Sequence, residues 1–106
     1  MSNYVEYKDK VAFHPGYYIE EIVEDSGLTQ QDFAKRLDTT PKNLSKLING
    51  QQRLSPEMAS KLSRMLGTSL YYWVNLQNAY DAVLIEIDSA KLLENEQFIL
   101  RQIGYS

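Results

Sequence analysis

Five stretches of the chain repeat apolar residues at helical spacing; each follows a residue suited to start a helix, and the first four are followed by a turn or stop signal. Tyr18, Ile19, Ile22 and Val23 recur at helical intervals after His14-Pro15-Gly16, where Pro15 fits a first turn and Gly27 fits a C-terminal cap. Thr29 offers a hydroxyl cap to a short second helix, with Asp32 three residues on and Phe33, Ala34 and Leu37 along one face. Asp38-Thr39-Thr40 reads as a three-residue turn. Thr40 then caps a third helix, Pro41 takes its first position, Leu44, Leu47 and Ile48 form its inward stripe, and Asn49-Gly50 stops it. Ser55-Pro56 repeats the cap and proline for a fourth helix, with Met58, Ala59, Leu62 and Leu66 inward and Gly67 at its end. Ser69 caps a fifth, more aromatic helix in which Leu70, Trp73, Val74, Tyr80 and Leu84 keep near-helical spacing to about Ile87.

Three segments fit less simply. Residues 1–13 alternate loosely through Tyr4, Val5, Tyr7, Val11 and Phe13 and carry no cap, which predicts an extended arm or edge strand. The run Val83 to Ile87 fits a buried strand as well as the end of the fifth helix. From Ser89 to Ile103 the residues Leu92, Leu93, Phe98, Ile99, Leu100 and Ile103 are too numerous to stay in water, so this stretch needs a surface to pack on. The expected fold class is therefore all-α. An arm over 1–13 precedes a helical domain over 14–88, and an additional helical segment over 89–106 packs on that domain or on a dimer partner.

Composition narrows the chemistry. The 106 residues make one domain, and 43% hydrophobic against 24% charged residues is ordinary for a chain with its own core. The absence of cysteine removes disulfides, thiolate metal sites and thiol nucleophiles together. No stretch approaches the roughly 20 apolar residues of a membrane span, and residues 1–13 lack the apolar core of a signal peptide, so the expected location is the cytoplasm with no membrane partner. His14 is the only histidine and lacks partners for a metal site or a catalytic set, which leaves it a role at a helix start. Glu20, Glu21 and Glu24 read as a solvated face rather than an acid and base pair, since nothing would separate their pKa values. The five glycines stand singly, so no phosphate-cradling loop exists. Neither an enzyme nor a cofactor is expected.

The net charge of −3 hides a split. Between Leu28 and Gly67 seven bases face three acids, whereas the rest of the chain holds four bases against eleven acids. The central segment is thus able to meet phosphate and the flanks a basic partner, although solvated helix faces would carry charge in the same way. Two short helices joined by a three-residue turn, Thr29 to Leu37 and Thr40 to Asn49, are what a helix-turn-helix requires, and its second helix lies in the DNA major groove. With Leu44, Leu47 and Ile48 inward, Lys42, Asn43, Ser45, Lys46 and Asn49 lie on other faces, and those near the N-terminus of the helix can reach base edges; lysine donates to guanine and asparagine pairs with adenine. Gln30, Asn49 and Arg53 are better placed for phosphate. Tyr71, Tyr72, Trp73 and Tyr80 could stack on bases, but Trp73 reads as core and the tyrosines as interface.

These residues carry a resemblance. His14-Pro15-Gly16, the stretch Gly27 to Leu37, Leu44-Ser45-Lys46-Leu47-Ile48-Asn49-Gly50, Leu54 to Ala59, Leu66 to Ser69 and Trp73-Val74-Asn75-Leu76-Gln77 resemble the HigA (VapI-like) antitoxins of the phage-repressor (XRE-type) helix-turn-helix superfamily. The likeness spans about residues 14–80. It implies a lambda-repressor-like five-helix bundle that dimerises on a palindromic operator of double-stranded DNA, represses its own promoter and neutralises a basic mRNA-cleaving ribonuclease toxin of the HigB type. Gln30, Thr40, Lys42, Asn43, Lys46 and Asn49 match the motif positions used for DNA, while Pro41-Lys42-Asn43 departs from the small polar residues frequent there. For the toxin the expected surface is the arm and the acidic first helix, through Tyr4, Tyr7, Phe13, Glu20 and Glu24, with the apolar segment Leu92 to Ile103 as rival. A phage-type repressor without a toxin, or a helical protein-interaction module whose third helix never meets DNA, are the alternative functions.

Overall fold

Side-chain caps set where every helix begins. In the structure, a computed structural model that describes residues 3–103, a two-stranded antiparallel hairpin, β1 (Tyr4–Tyr7) and β2 (Lys10–Phe13), precedes five helices. These are α1 (Pro15–Ser26), α2 (Gln30–Arg36), α3 (Pro41–Ile48), α4 (Pro56–Leu66) and α5 (Leu70–Gln102). The hydroxyls of Thr29, Thr40 and Ser55 each accept the backbone N–H three residues on at 3.1 Å, and Ser69 accepts that of Tyr71 at 3.1 Å. Gly27 and Gly67 close α1 and α4 in the left-handed conformation, at φ 73° and 70°. Five helices with the expected caps make the expected bundle. Ile19 and Val23 of α1, Phe33 and Ala34 of α2, Leu44, Leu47 and Ile48 of α3, Ala59 and Leu62 of α4 and Trp73 of α5 share one buried cluster. The Trp73 indole N–H donates to Thr68 Oγ1 at 2.8 Å, so the largest core side chain leaves no orphan donor.

The arm is a hairpin rather than a single extended strand. Tyr4 pairs with Phe13, Val5 with Ala12, Glu6 with Val11 and Tyr7 with Lys10. Lys8 takes φ 54° in the two-residue connection. Strand period was readable there, but Lys8-Asp9 lacks the Asn-Gly type of turn that announces a hairpin. Ala12 is fully buried, and β2 packs along α5. At the loop end the Tyr7 hydroxyl donates to Glu94, Lys8 pairs with Glu94, and Lys91 stands 5.2 Å from the Tyr7 ring centre.

The strand alternative at Val83 to Ile87 is overturned: α5 runs unbroken for 33 residues and contains neither glycine nor proline. The segment after residue 88 is the same helix continued, and Ile87 is the last buried side chain along it. Leu92, Leu93, Phe98, Ile99, Leu100 and Ile103 are 47–64% exposed, so they do not pack on their own domain as one of the two expectations had it. The molecule is correspondingly long, 61 × 25 × 19 Å. No helix among the described residues is long and apolar enough to cross a membrane.

Candidate nucleic-acid interface

The angle between α2 and α3 is fixed by one residue in an unusual conformation. Asp38 has φ 62°, and around it the Thr39 N–H returns to Ala34 O at 2.9 Å and the Asp38 N–H to Lys35 O at 3.2 Å. Aspartate tolerates this region better than most residues because its short polar side chain can bond locally. From α4, Lys61 donates to Asp38 O at 2.7 Å and its ammonium lies 3.7 Å from the Asp38 carboxylate. The turn is therefore clamped by a third helix.

That clamp presents α3 with a sharply divided circumference. Leu44, Leu47 and Ile48 are 0, 0 and 2% exposed, while Thr40, Lys42, Asn43 and Lys46 are all on the surface. The Thr40 oxygen already accepts the Asn43 N–H, so its hydroxyl proton is what it has left to donate. Gln30 is exposed at the start of α2. Asn49 is half-buried, with its amide 3.4 Å from Ser45 Oγ. Arg53 departs from the expectation of an available phosphate ligand: its two terminal nitrogens hold Asp81 Oδ1 and Oδ2 at 2.9 and 2.8 Å. This bidentate pair holds the Asp81 carboxyl below the usual carboxylate range and raises Arg53 further. Arg53 reaches phosphate only by exchanging one anion for the other.

Sequence reading missed the polar residues behind this surface. Asn3 donates its side-chain amide to Ile48 O at 3.0 Å and accepts the His14 N–H on its carbonyl at 2.9 Å, which ties the hairpin to the last turn of α3. Gln77, 4% exposed, accepts the Leu54 N–H at 2.8 Å and donates to Asp81 at 3.0 Å. It stands four residues after Trp73 on the inward stripe of α5, and a polar residue at such a position was the available signal.

His14 sits at the helix start, as expected, but buried at 3% exposure. Nδ1 accepts the Gly16 N–H at 2.8 Å and Nε2–H donates to Gln52 O at 2.8 Å, so the neutral ring satisfies both partners. Burial lowers its pKa below 6.5, against the opposing pull of the Gln52 carbonyl. Below about pH 6.5 the unfolded chain binds a proton that the folded ring resists, so stability is complete above that pH and falls as pH drops beneath it. Melting temperature measured from pH 8 to 5 is expected to decline more steeply for the natural protein than for His14→Asn, which keeps a capping side chain without the titration. Parallel curves would remove the histidine from the acid response.

On the hairpin and α1, Tyr4 and Phe13 face each other at 6.0 Å between ring centres, and Phe13 continues to Tyr17 at 4.8 Å. Both are exposed, at 44% and 39%. Glu24 is exposed on α1, and Glu20 is half-buried beside the Asn3 amide at 3.4 Å. Tyr7 lies apart from this cluster, half-buried against α5.

Residues 19–73 match the family model described as Helix-turn-helix. The transcriptional regulator YddM of Escherichia coli K12 is 37% identical over 87 residues, covering 78% of this chain and 93% of its own. Virulence-associated protein I of Dichelobacter nodosus is 30% identical over 82 residues, 76% of each chain. Among solved structures, the Pseudomonas aeruginosa antitoxin HigA with the higBA promoter superposes with a TM-score of 0.70 at 26% identity, covering 80% of this chain and 94% of that one. The chain thus belongs to the phage-repressor (XRE) type of the helix-turn-helix family, with HigA and VapI-like proteins among its relatives and no enzyme activity.

Proposed function

We propose that this transcriptional regulator is a cytoplasmic antitoxin that binds a palindromic operator as a homodimer, represses its own promoter and neutralises a basic ribonuclease toxin of the HigB type. The observation that carries the DNA reading is the exposure of Lys42, Asn43 and Lys46 on a helix whose opposite stripe is 2% exposed or less. A rod so held is free to enter the major groove with its N-terminal side chains against base edges. In this reading Thr40, Lys42, Asn43 and Lys46 contact bases, and Gln30 and Asn49 contact phosphate with Arg53 in the secondary role its pairing leaves. The antitoxin reading is supported by the HigA relative with its promoter and by the acidic, aromatic surface of Tyr4, Phe13, Glu20 and Glu24, which complements a basic partner. Tyr7 would meet the toxin separately, from the loop end of the hairpin beside Glu94 of α5.

Lys42→Ala and Asn43→Ala are each expected to weaken operator binding by about 1–3 kcal/mol while changing affinity for random DNA far less. Electrophoretic titration of both DNAs measures it, and equal losses on the two would refute the division of roles. Dimeric binding also predicts protected half-sites about 34 Å apart and an affinity that falls steeply as salt rises. For the toxin, the double variant Tyr4→Ala, Glu24→Lys is expected to lose co-purification with the basic product of an adjoining reading frame; full retention would move the contact elsewhere.

A further inference from the structure

Arg53 stands just past α3, where a phosphate contact is expected, and its side chain is 70% exposed, yet its guanidinium is already occupied. Asp81 of α5 presents two oxygens to it in the paired geometry that a backbone phosphate also offers. The neighbouring contacts hold the carboxylate rather than the guanidinium. Buried Gln77 donates to Asp81 Oδ1 at 3.0 Å and accepts the Leu54 N–H at 2.8 Å, so Asp81 keeps a hydrogen bond and its place on α5 when Arg53 leaves. Arg53 has no other hydrogen bond or ion pair among the described residues. The chain on either side of it is fixed independently, through Gln52 O to the His14 ring at 2.8 Å and through the Leu54 N–H. The guanidinium can therefore swing away while the backbone stays.

We infer that Asp81 is an internal competitor of the DNA backbone, which holds the Arg53 guanidinium in the free protein and yields it to a phosphate in the complex. This inference rests on the DNA reading above and on the phosphate contact assigned there to Arg53. Asp81 is thus a positioning residue that sets the affinity for DNA without touching it. Counterions carry the argument. An unpaired arginine that meets a phosphate displaces a condensed cation and steepens the fall of log affinity with log salt by about 0.9. When the guanidinium comes from Asp81, the uncovered carboxylate, 31% exposed, draws a cation from solution in exchange. Release and uptake nearly cancel, so the natural protein gains only part of what Arg53 can give. Removing the charge of Asp81 makes the whole contribution available. An ion pair that must stay closed on DNA predicts the opposite sign, because losing it would loosen the connection between α3 and α4 and weaken binding.

The test is a double-mutant cycle on the full chain, with operator and random DNA titrated over about 50–200 mM salt. Asp81→Asn keeps the size of the side chain and an oxygen for Gln77, and the buried Trp73, the only tryptophan, reports by fluorescence that the core is intact. This variant is expected to bind both DNAs about 5-fold more tightly, the upper end for an exposed pair, with a salt slope steeper by about 1. Arg53→Ala is expected to cost about 5-fold more affinity in the Asp81→Asn background than in the natural one. Asp88→Asn, which removes the same charge from an exposed position two turns along α5, is expected to change neither affinity nor slope. If Asp81→Asn tightens binding equally with and without Arg53, the carboxylate acts by repulsion at a distance and the inference is overturned. If it weakens binding while the Trp73 signal is unchanged, the pair is a strut and the inference is overturned as well. An Arg53→Ala that costs the same in both backgrounds, with operator still preferred over random DNA, would sink the competition and leave the DNA reading standing. A natural protein with no preference for its operator would sink that reading, and the inference with it.

Discussion

Gly16→Ala is expected to destabilise the protein by about 3 kcal/mol or more and to lower its melting temperature by at least about 10 °C. On propensity alone the sign would be opposite, because alanine is favoured over glycine by about 1 kcal/mol inside a helix and Gly16 lies in the first turn of α1. Space decides the matter. A Cβ at Gly16 would overlap the Leu47 carbonyl oxygen and stand 2.8 Å from that of Ile48. Neither oxygen can retreat. The Leu47 carbonyl accepts the Gly50 N–H at 3.1 Å, and that of Ile48 accepts the Asn3 amide at 3.0 Å. The helix would have to lift off α3, which opens the packing of Ile19 against the cluster that buries Leu44 and Leu47. Since α3 presents the candidate base-contacting side chains, operator affinity should fall with stability. Thermal melting of the purified variant is the measurement, and a melting temperature equal to or above that of the natural protein would show that the crossing is looser than these distances require.

The same glycine illustrates what was legible in the sequence. Caps and stops are local: Thr29, Thr40, Ser55 and Ser69 act on backbone groups two or three residues away, so the starts of four helices could be read from short words. The stripe Leu44, Leu47 and Ile48 was equally plain, because burial follows the helical period. His14-Pro15-Gly16 was readable as a helix start, but the need for glycine there comes from a carbonyl more than thirty residues away in α3. Arg53 misled for a similar reason. Its position after α3 suits a phosphate, and only the approach of α5 reveals Asp81 as its partner. Charge counted along a chain says nothing about which charges face each other across it. The hairpin was half visible, as alternation without a turn signal. The unbroken length of α5 was hidden because an apolar run of five residues satisfies both periods, and the absence of breakers up to Gln102 had to outweigh that ambiguity.

Gln77 carries the second large expectation, since it joins the chain after α3 to α5. Gln77→Ala is expected to cost about 3 kcal/mol, combining a cavity with the loss of an acceptor for the buried Leu54 N–H. Two further substitutions separate those causes. Gln77→Met keeps the volume and removes the acceptor, so it should retain about 1–3 kcal/mol of the loss. Gln77→Glu keeps an acceptor for Leu54 but sets a second carboxylate against Asp81, where the amide had donated at 3.0 Å. Like charges that close raise the pKa of at least one of them. The folded state then binds more protons than the unfolded one, so the deficit of Gln77→Glu relative to the natural protein should shrink as pH falls from 7 toward 5. Chemical denaturation at several pH values reads all three. If Gln77→Met is as stable as the natural protein, the Leu54 N–H needs no partner and the network around Arg53 and Asp81 holds the segment by itself. If Met is costly and the Glu deficit is independent of pH, the acceptor matters but Asp81 is too well paired with Arg53 to sense a neighbouring charge.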